Sequence, residues 1–253
     1  MARKSVLIFF AILSLFVNLA GAEEPLDAER LVRRMVQYYR GNASFALLDM
    51  TIHRPAWERT LTMKGWTRGQ KDSLIAITAP PKDEGNGTLK KGREMWIYNP
   101  KVNRVIKLPP SMMYQSWMGS DFSNNDLAKS DSIIEEYTHR ITGTEMHEGK
   151  KAYVITSMPK PDAPVVWGMQ KLVIREDLVF LREEFYDEDL KLVKVMTGDE
   201  IRMIGGKIFP RMWKMIVVDK RDEFTLLKYR ELQFLEDIPE SFFTLTSLKN
   251  TKR

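Results

Sequence analysis

Two hydrophobic periods divide the chain. Over Asp27 to Arg40, Leu31, Met35 and Tyr38/Tyr39 recur at three- and four-residue spacing. Asp27 stands at the N-cap position and Gly41 at the stop, which predicts one amphipathic helix. After Gly41 the period becomes two. Phe45 to His53 and Glu58 to Arg68 alternate, the second with Leu61, Met63 and Gly65 on one face and Thr60, Thr62, Lys64 and Trp66 on the other, and Pro55 lies in the turn between them. Ser73 to Thr78 is closed by Pro80-Pro81 and the loop Lys82 to Gly87, and Glu94 to Tyr98 pairs with Arg104 to Leu108 around Asn99-Pro100-Lys101. Further strands are predicted at Tyr137 to Thr144, Ala152 to Met158, Val165 to Arg175, Phe180 to Tyr186, Lys191 to Met203, Ile208 to Asp219 and Glu223 to Phe234. About eleven strands with few helices favour a large antiparallel sheet or barrel over alternating βαβ units. Leu172 and Ile174 set against Lys171, Val173 and Arg175, and Met215 and Val217 against Lys214 and Ile216, fit a curved sheet with an apolar concave face.

One segment departs from this pattern. After Pro109-Pro110, Ser111 is a candidate N-cap and Gly119 a candidate stop. Between them Met113, Tyr114, Trp117 and Met118 share a face at i,i+4 spacing. A short apolar segment between proline and glycine hinges reads as a lid, or as a plug for the sheet's own core. The following Asp121 to Asp126 resembles the start of a calcium loop, with oxygen side chains at positions 1, 3 and 5. Position 6 is Asp126 rather than Gly and position 12 is Ser132 rather than Glu, so capping of a short helix, Asp126 to Lys129, is the better reading.

The N-terminus has the features of an export signal: Arg3-Lys4, an apolar run from Val6 to Leu19, and Ala20-Gly21-Ala22 before Glu23-Glu24. The run is short for a membrane anchor, the alternative reading. Cleavage after Ala22 leaves residues 23–253 as one soluble exported domain, with no internal repeat or linker to divide it. The net charge of +5 is spread among interleaved acidic and basic residues, so a solvated surface, not a nucleic-acid interface, is expected. With no cysteine, thiol nucleophiles, zinc–thiolate sites and iron–sulfur clusters are excluded. His53, His139 and His147 have no ligand spacing, so neither metal nor cofactor is expected. No G-x-S-x-G elbow or phosphate loop is present, and Glu135-Glu136, Glu183-Glu184 and Asp187/Asp189 read as solvated charge runs. An enzyme acting on lipid or envelope polymer would need two carboxylates, or His139 beside a carboxylate, deep in the cleft. The 15 methionines and 6 tryptophans instead suit an adaptable apolar surface.

The run Met95-Trp96-Ile97-Tyr98-Asn99-Pro100, then Arg104 to Pro109, then Gln115-Ser116-Trp117-Met118-Gly119-Ser120-Asp121-Phe122-Ser123 with Asp126-Leu127, resembles the outer-membrane lipoprotein-sorting (LolA-like) proteins. Within that superfamily it is most similar to the exported branch associated with RND-type lipid exporters. The resemblance implies a half-open antiparallel barrel closed by helices around an apolar cavity for acyl chains. It further implies a periplasmic carrier of lipids or lipoprotein anchors, without enzymatic activity, handing cargo between an inner-membrane exporter and an outer-membrane acceptor. A lipid-sensing regulatory or adaptor module on the same fold is the alternative. The residues expected in cavity or lid are Met63, Trp66, Met95, Ile97, Met112, Met113, Trp117, Met118 and Phe122, although Met63 and Trp66 have opposite parity on one strand. The single cavity arginine of the lipoprotein carriers has three candidates here, Arg68, Arg93 and Arg104.

Overall fold

A computed structural model describes residues 27–129 and 132–250, so the expected signal sequence and its expected cleavage site before Glu23 lie outside the described residues. The helix α1 (Ala28–Arg40) forms where the apolar period placed it. Asp27 accepts hydrogen bonds from the backbone N–H groups of Glu29 and Arg30, and Gly41, at φ +61°, ends it.

The strands are β1 (Ala43–Arg54), β2 (Trp57–Arg68), β3 (Asp72–Ala79), β4 (Gly87–Lys91), β5 (Glu94–Asn99), β6 (Arg104–Lys107), β7 (Tyr137–His147), β8 (Lys150–Pro159), β9 (Met169–Arg175), β10 (Phe180–Tyr186), β11 (Leu192–Ile204), β12 (Lys207–Val217) and β13 (Phe224–Leu235). They form a single open antiparallel sheet in the order β6-β5-β4-β3-β2-β1-β13-β12-β11-β10-β9-β8-β7. The chain thus enters at the centre, meanders to one edge and crosses to the other. It then meanders back until β13 pairs with β1. Because β6 and β7 are opposite edges, residues 108–136 must travel from one to the other across a face of the sheet. This crossing holds two tight 3-10 turns, Pro110–Met112 and Trp117–Gly119, followed by α2 (Asn124–Ala128) and α3 (Ser132–Glu135).

The apolar residues sort onto two faces. On one, Leu31, Val32, Met35 and Val36 of α1 pack with Ile133 and Ile134 against Tyr137, Ile155, Leu172, Ile174 and Trp213. Further along the same face, Trp117, Met112, Met113 and Met118 of the crossing pack on Met50, Ile52, Leu61, Met63 and Ile77. On the other face the C-terminal tail, with α4 (Leu245–Lys249), buries Phe243 and Leu248 against Ala43, Leu74, Leu89 and Tyr98. No described helix is long and apolar enough to cross a membrane.

Two sequence expectations need correction. Thirteen strands are present among the described residues, where the pattern predicted about eleven. The strand without a counterpart in the pattern is β4, Gly-Thr-Leu-Lys-Lys, whose composition reads as a polar loop. Flanked by β3 and β5, it is buried from Gly87 to Lys90, and the Lys90 ammonium satisfies itself by donating to the Gln70 carbonyl at 2.6 Å. The helix expected between Ser111 and Gly119 is absent. Pro109, not Ser111, precedes the first turn, and Met118 at φ +54° and Gly119 at φ +79° reverse the chain. Ser116 then bridges to Ser123, and Trp117 N–H donates to the Phe122 carbonyl at 2.8 Å. The apolar side chains therefore do not share a helical face: Trp117 is 3% exposed and Tyr114 69%.

Candidate binding cavity

Side chains of the sheet's covered face, α1 and the crossing surround a cavity of about 440 Å³. The register explains which residues reach it. Ala46 opposes Gly65, which opposes Ile75, and Leu48 opposes Met63, so one parity of β1, β2 and β3 points inward. On the other half, Glu183 of β10 stands opposite Leu172 of β9 and Met196 of β11, and Met196 stands opposite Met215 of β12. Met35, Val36 and Tyr39 of α1, with Trp117, Phe122 and Leu127 of the crossing, complete an apolar wall. Tyr39 is fixed in place: its hydroxyl donates to the Phe180 carbonyl and accepts from Phe180 N–H at 2.9 Å. Burial holds its pKa well above the usual tyrosine value.

The residues singled out from the sequence are distributed as follows. Met63, Trp117 and Phe122 line the cavity. Trp66 borders it, but its ring packs on Phe45 and Phe242, with centroids 5.5 Å apart in both cases, as its opposite parity requires. Met95, Ile97, Met112, Met113 and Met118 pack in the adjoining core beneath the crossing. The lining of α1 and of β12, with Trp213 and Met215, was missed. On β12 the signal was present in the alternation, since Trp213 shares the parity of Met215. None of the three candidate arginines lines the cavity: Arg68 pairs with Asp72 at 3.2 Å, Arg93 with Glu136, and Arg104 is exposed.

The crossing is pinned at a second place. Arg54, at the end of β1, makes a two-pronged contact with Asp121 at 3.0 and 3.1 Å. Thr225 Oγ1 donates to the same carboxylate at 2.7 Å and accepts from the Asp121 N–H. Trp117 Nε1 donates to Thr88 Oγ1 at 3.0 Å. Asp121 and Ser123, at positions 1 and 3 of the supposed calcium loop, are thus engaged within the protein, with Ser123 and Asp126 forming a reciprocal cap on α2. Among the described residues no cluster of three or more His, Asp or Glu is placed to hold a metal.

Polar groups do enter the cavity wall. Asp126 is held by Lys194 at 3.0 Å and by the Ser123 N–H at 2.7 Å. Glu183 has no such support, which corrects its reading as part of a solvated charge run. Its neighbour Glu184 faces outward to Arg182 and Tyr186, whereas Glu183 has the inward parity of Phe185. Burial, then the charge of Asp126, push the Glu183 pKa up to about 8. Its residual exposure is to the cavity it lines. Beside it, Gln170 is 4% exposed with Oε1 unpartnered in the protein. His139 lies elsewhere, on Glu29 and Ser157 beneath α1. Asp126 is therefore a structural ion-pair partner, and the two carboxylates of the cavity are not equivalent.

Solved structures share this architecture. An outer-membrane lipoprotein-sorting protein domain from Vibrio parahaemolyticus aligns at TM-score 0.76 and 20% identity, over 88% of this chain and 98% of that one. A DUF1329 family protein from Desulfovibrio piger aligns at TM-score 0.78 and 25% identity, over 87% and 97%. A LolA superfamily protein from Nitrosomonas europaea aligns at TM-score 0.73 and 20% identity, over 88% and 99%. No curated protein matches the chain by sequence. A family model described as that of an uncharacterized protein matches residues 69–250, well over half of the chain. With its sheet order, covered face and these matches in agreement, the chain belongs to the family of that model and shares the fold of the outer-membrane lipoprotein-sorting (LolA superfamily) domains.

Proposed function

We propose that the protein is a periplasmic carrier that buries the acyl chains of a lipid, or of a lipoprotein's lipid anchor, and ferries them between membranes. The observation that carries this reading is the cavity: apolar side chains converge on it from both halves of the sheet, from α1 and from the crossing. Its volume falls in the range of pockets that enclose small hydrophobic ligands. Burial of hydrocarbon is non-directional and contributes about 0.8 kcal/mol per CH₂. A sixteen-carbon chain thus gains on the order of 10 kcal/mol before ordering costs are subtracted. Met63, Met196 and Met215 suit such cargo because a flexible thioether adapts to a chain whose position is not fixed.

In this reading cleavage after Ala22 releases residues 23–253 as one domain. The crossing acts as the lid, its Met112, Met113 and Met118 resting on an apolar bed to which Met95 and Ile97 belong, while Met63, Trp66, Trp117 and Phe122 border the cargo. An inner-membrane RND-type exporter and an outer-membrane acceptor are the partners such a carrier would serve. Release then requires an acceptor with higher affinity for the lipid or for the open lid.

The test is native mass spectrometry of the mature protein purified from its own periplasm, followed by solvent extraction and lipid identification. A stoichiometric acyl-bearing mass is expected. A clean unliganded mass that persists after incubation with phospholipid vesicles and a triacylated lipopeptide would count decisively against the carrier.

A further inference from the structure

The carrier reading leaves one part of the cavity unused. Glu183 projects from the middle of the sheet into an otherwise apolar wall, between Leu172 and Met196. Core strands exclude such a residue unless something compensates it. Among the described residues no group donates a hydrogen bond to its carboxylate. Gln170 lies diagonally across the β9–β10 pair, since Phe185 is its direct partner and Glu183 is two residues earlier. It is 4% exposed, lines the same cavity, and keeps Oε1 unpartnered in the protein. A buried amide oxygen without a donor and a buried carboxyl without a partner, side by side, are two costs the fold could remove with apolar residues.

We propose that Glu183 and Gln170 form a polar subsite in the cavity wall that takes the uncharged, hydroxyl-bearing headgroup of an acyl lipid. This deepens the carrier reading and rests on it.

The chemistry is complementary. A protonated carboxyl offers one O–H donor and a carbonyl acceptor, and Gln170 Oε1 offers a second acceptor, which together match a hydroxyl that both donates and accepts. The groups facing the site set its charge preference. Asp126 of α2 is already held by Lys194 of β11. Tyr137 at the start of β7 spends its hydroxyl proton on the Trp167 carbonyl at 3.0 Å, and Lys129 spends its ammonium on the Pro164 carbonyl. α1 presents Met35, Val36 and Tyr39, and its last residue, Arg40, also lies on the lining. The charge that bears on Glu183 is that of the Asp126 carboxylate, not of Lys129 or Arg40, so an anionic phosphate placed beside Glu183 is repelled. A neutral headgroup meets no such penalty, and Glu183 remains protonated at neutral pH, its pKa raised by burial and then by Asp126.

The experiment is a titration followed by intrinsic tryptophan fluorescence, for which Trp117, Trp167 and Trp213 line the cavity. The full mature protein is titrated with 1-monopalmitoylglycerol, its lysophosphatidic acid counterpart and hexadecylamine, each at pH 6 and pH 9. At pH 6 the monoacylglycerol is expected to bind about tenfold more tightly than the phosphate, and its affinity to fall about tenfold by pH 9 as Glu183 ionises. Glu183→Gln is expected to keep the pH 6 affinity and lose the pH dependence, and Glu183→Leu to weaken monoacylglycerol about tenfold at pH 6. Equal affinity for the three headgroups, tightest binding of the amine, or an unchanged pH profile in Glu183→Gln would overturn the subsite and leave the carrier standing. Failure of all three lipids to bind at either pH would overturn both.

Discussion

Arg54 and Asp121 show how much one pair can hold. The Asp121 side chain is 1% exposed, and its carboxylate receives two guanidinium bonds and the Thr225 hydroxyl, so the crossing is tied to the junction of β1 and β13. Removing one partner of a buried pair leaves an uncompensated charge, so Asp121→Ala should cost about 3–5 kcal/mol in urea unfolding. Glu183 acts in the opposite sense. Its folded pKa of about 8 lies above the ordinary carboxylate value of 4.5, so the folded state binds more protons than the unfolded state between those values. Stability contributed by this group is therefore complete below pH 4.5 and is lost as pH rises to 8. Glu183→Gln should raise the melting temperature at pH 9, by the equivalent of about 1–3 kcal/mol, and change it little at pH 5. An equal gain at pH 5 and pH 9 would show that the carboxyl is ionised throughout. Neither role was read from the sequence. Asp121 is 67 positions from Arg54, and nothing local pairs them. Glu183 was hidden in an acidic doublet, yet its parity with Phe185 separates it from Glu184, so alternation contained the signal that composition obscured.

At the scale of elements, helix α1 was fully legible, because amphipathic spacing, cap and stop all lie within fifteen consecutive residues, Asp27 to Gly41. Strands with one buried face were legible for the same reason. β4 was not, because burial by β3 and β5 is a property of the sheet and not of Gly-Thr-Leu-Lys-Lys. The crossing misled for a related reason: its i,i+4 apolar spacing is real, but the Ser116–Ser123 bridge and the reversal at Met118 and Gly119 override it. How α1 is fastened gives a further expectation. The Glu29 carboxylate accepts from the His139 N–H at 3.2 Å, and His139 Nδ1 meets Ser157 Oγ at 2.8 Å beneath the helix. Burial, outweighing the nearby Glu29 charge, lowers the His139 pKa below 6.5, so the unfolded chain binds the extra proton first. This contribution is present above pH 6.5 and lost as pH falls below it. From pH 7 to pH 5 the protection of α1 amides, corrected for the intrinsic exchange rate at each pH, should fall, and His139→Gln should flatten that dependence. Protection of α1 that stays constant over this range would mean that the histidine is not coupled to the helix.

At the scale of the whole molecule, the order of the strands makes the cavity. A chain that starts in the middle of its sheet and finishes beside its starting strand must cross from edge to edge once, and here that crossing and α1 lie over the same face. The space left between them is where Gly65 becomes informative. It lies on the inward parity of β2, between Ala46 and Ile75, and a Cβ built on it meets no atom within 4 Å. Glycine within a strand weakens it, so its retention at this position keeps volume open. Gly65→Phe should therefore fold, with a melting temperature at or above that of the parent, while its ring occupies the space an acyl chain would take. Palmitoyl-lipid affinity should fall at least about tenfold, as expected when a ligand must displace a well-packed aromatic ring. Lys64→Phe places the same ring on the other face of the same strand and should leave affinity unchanged. Equal binding by both variants would place the acyl chain outside this cavity. A loss in Gly65→Phe alone would assign it to the face that the crossing covers.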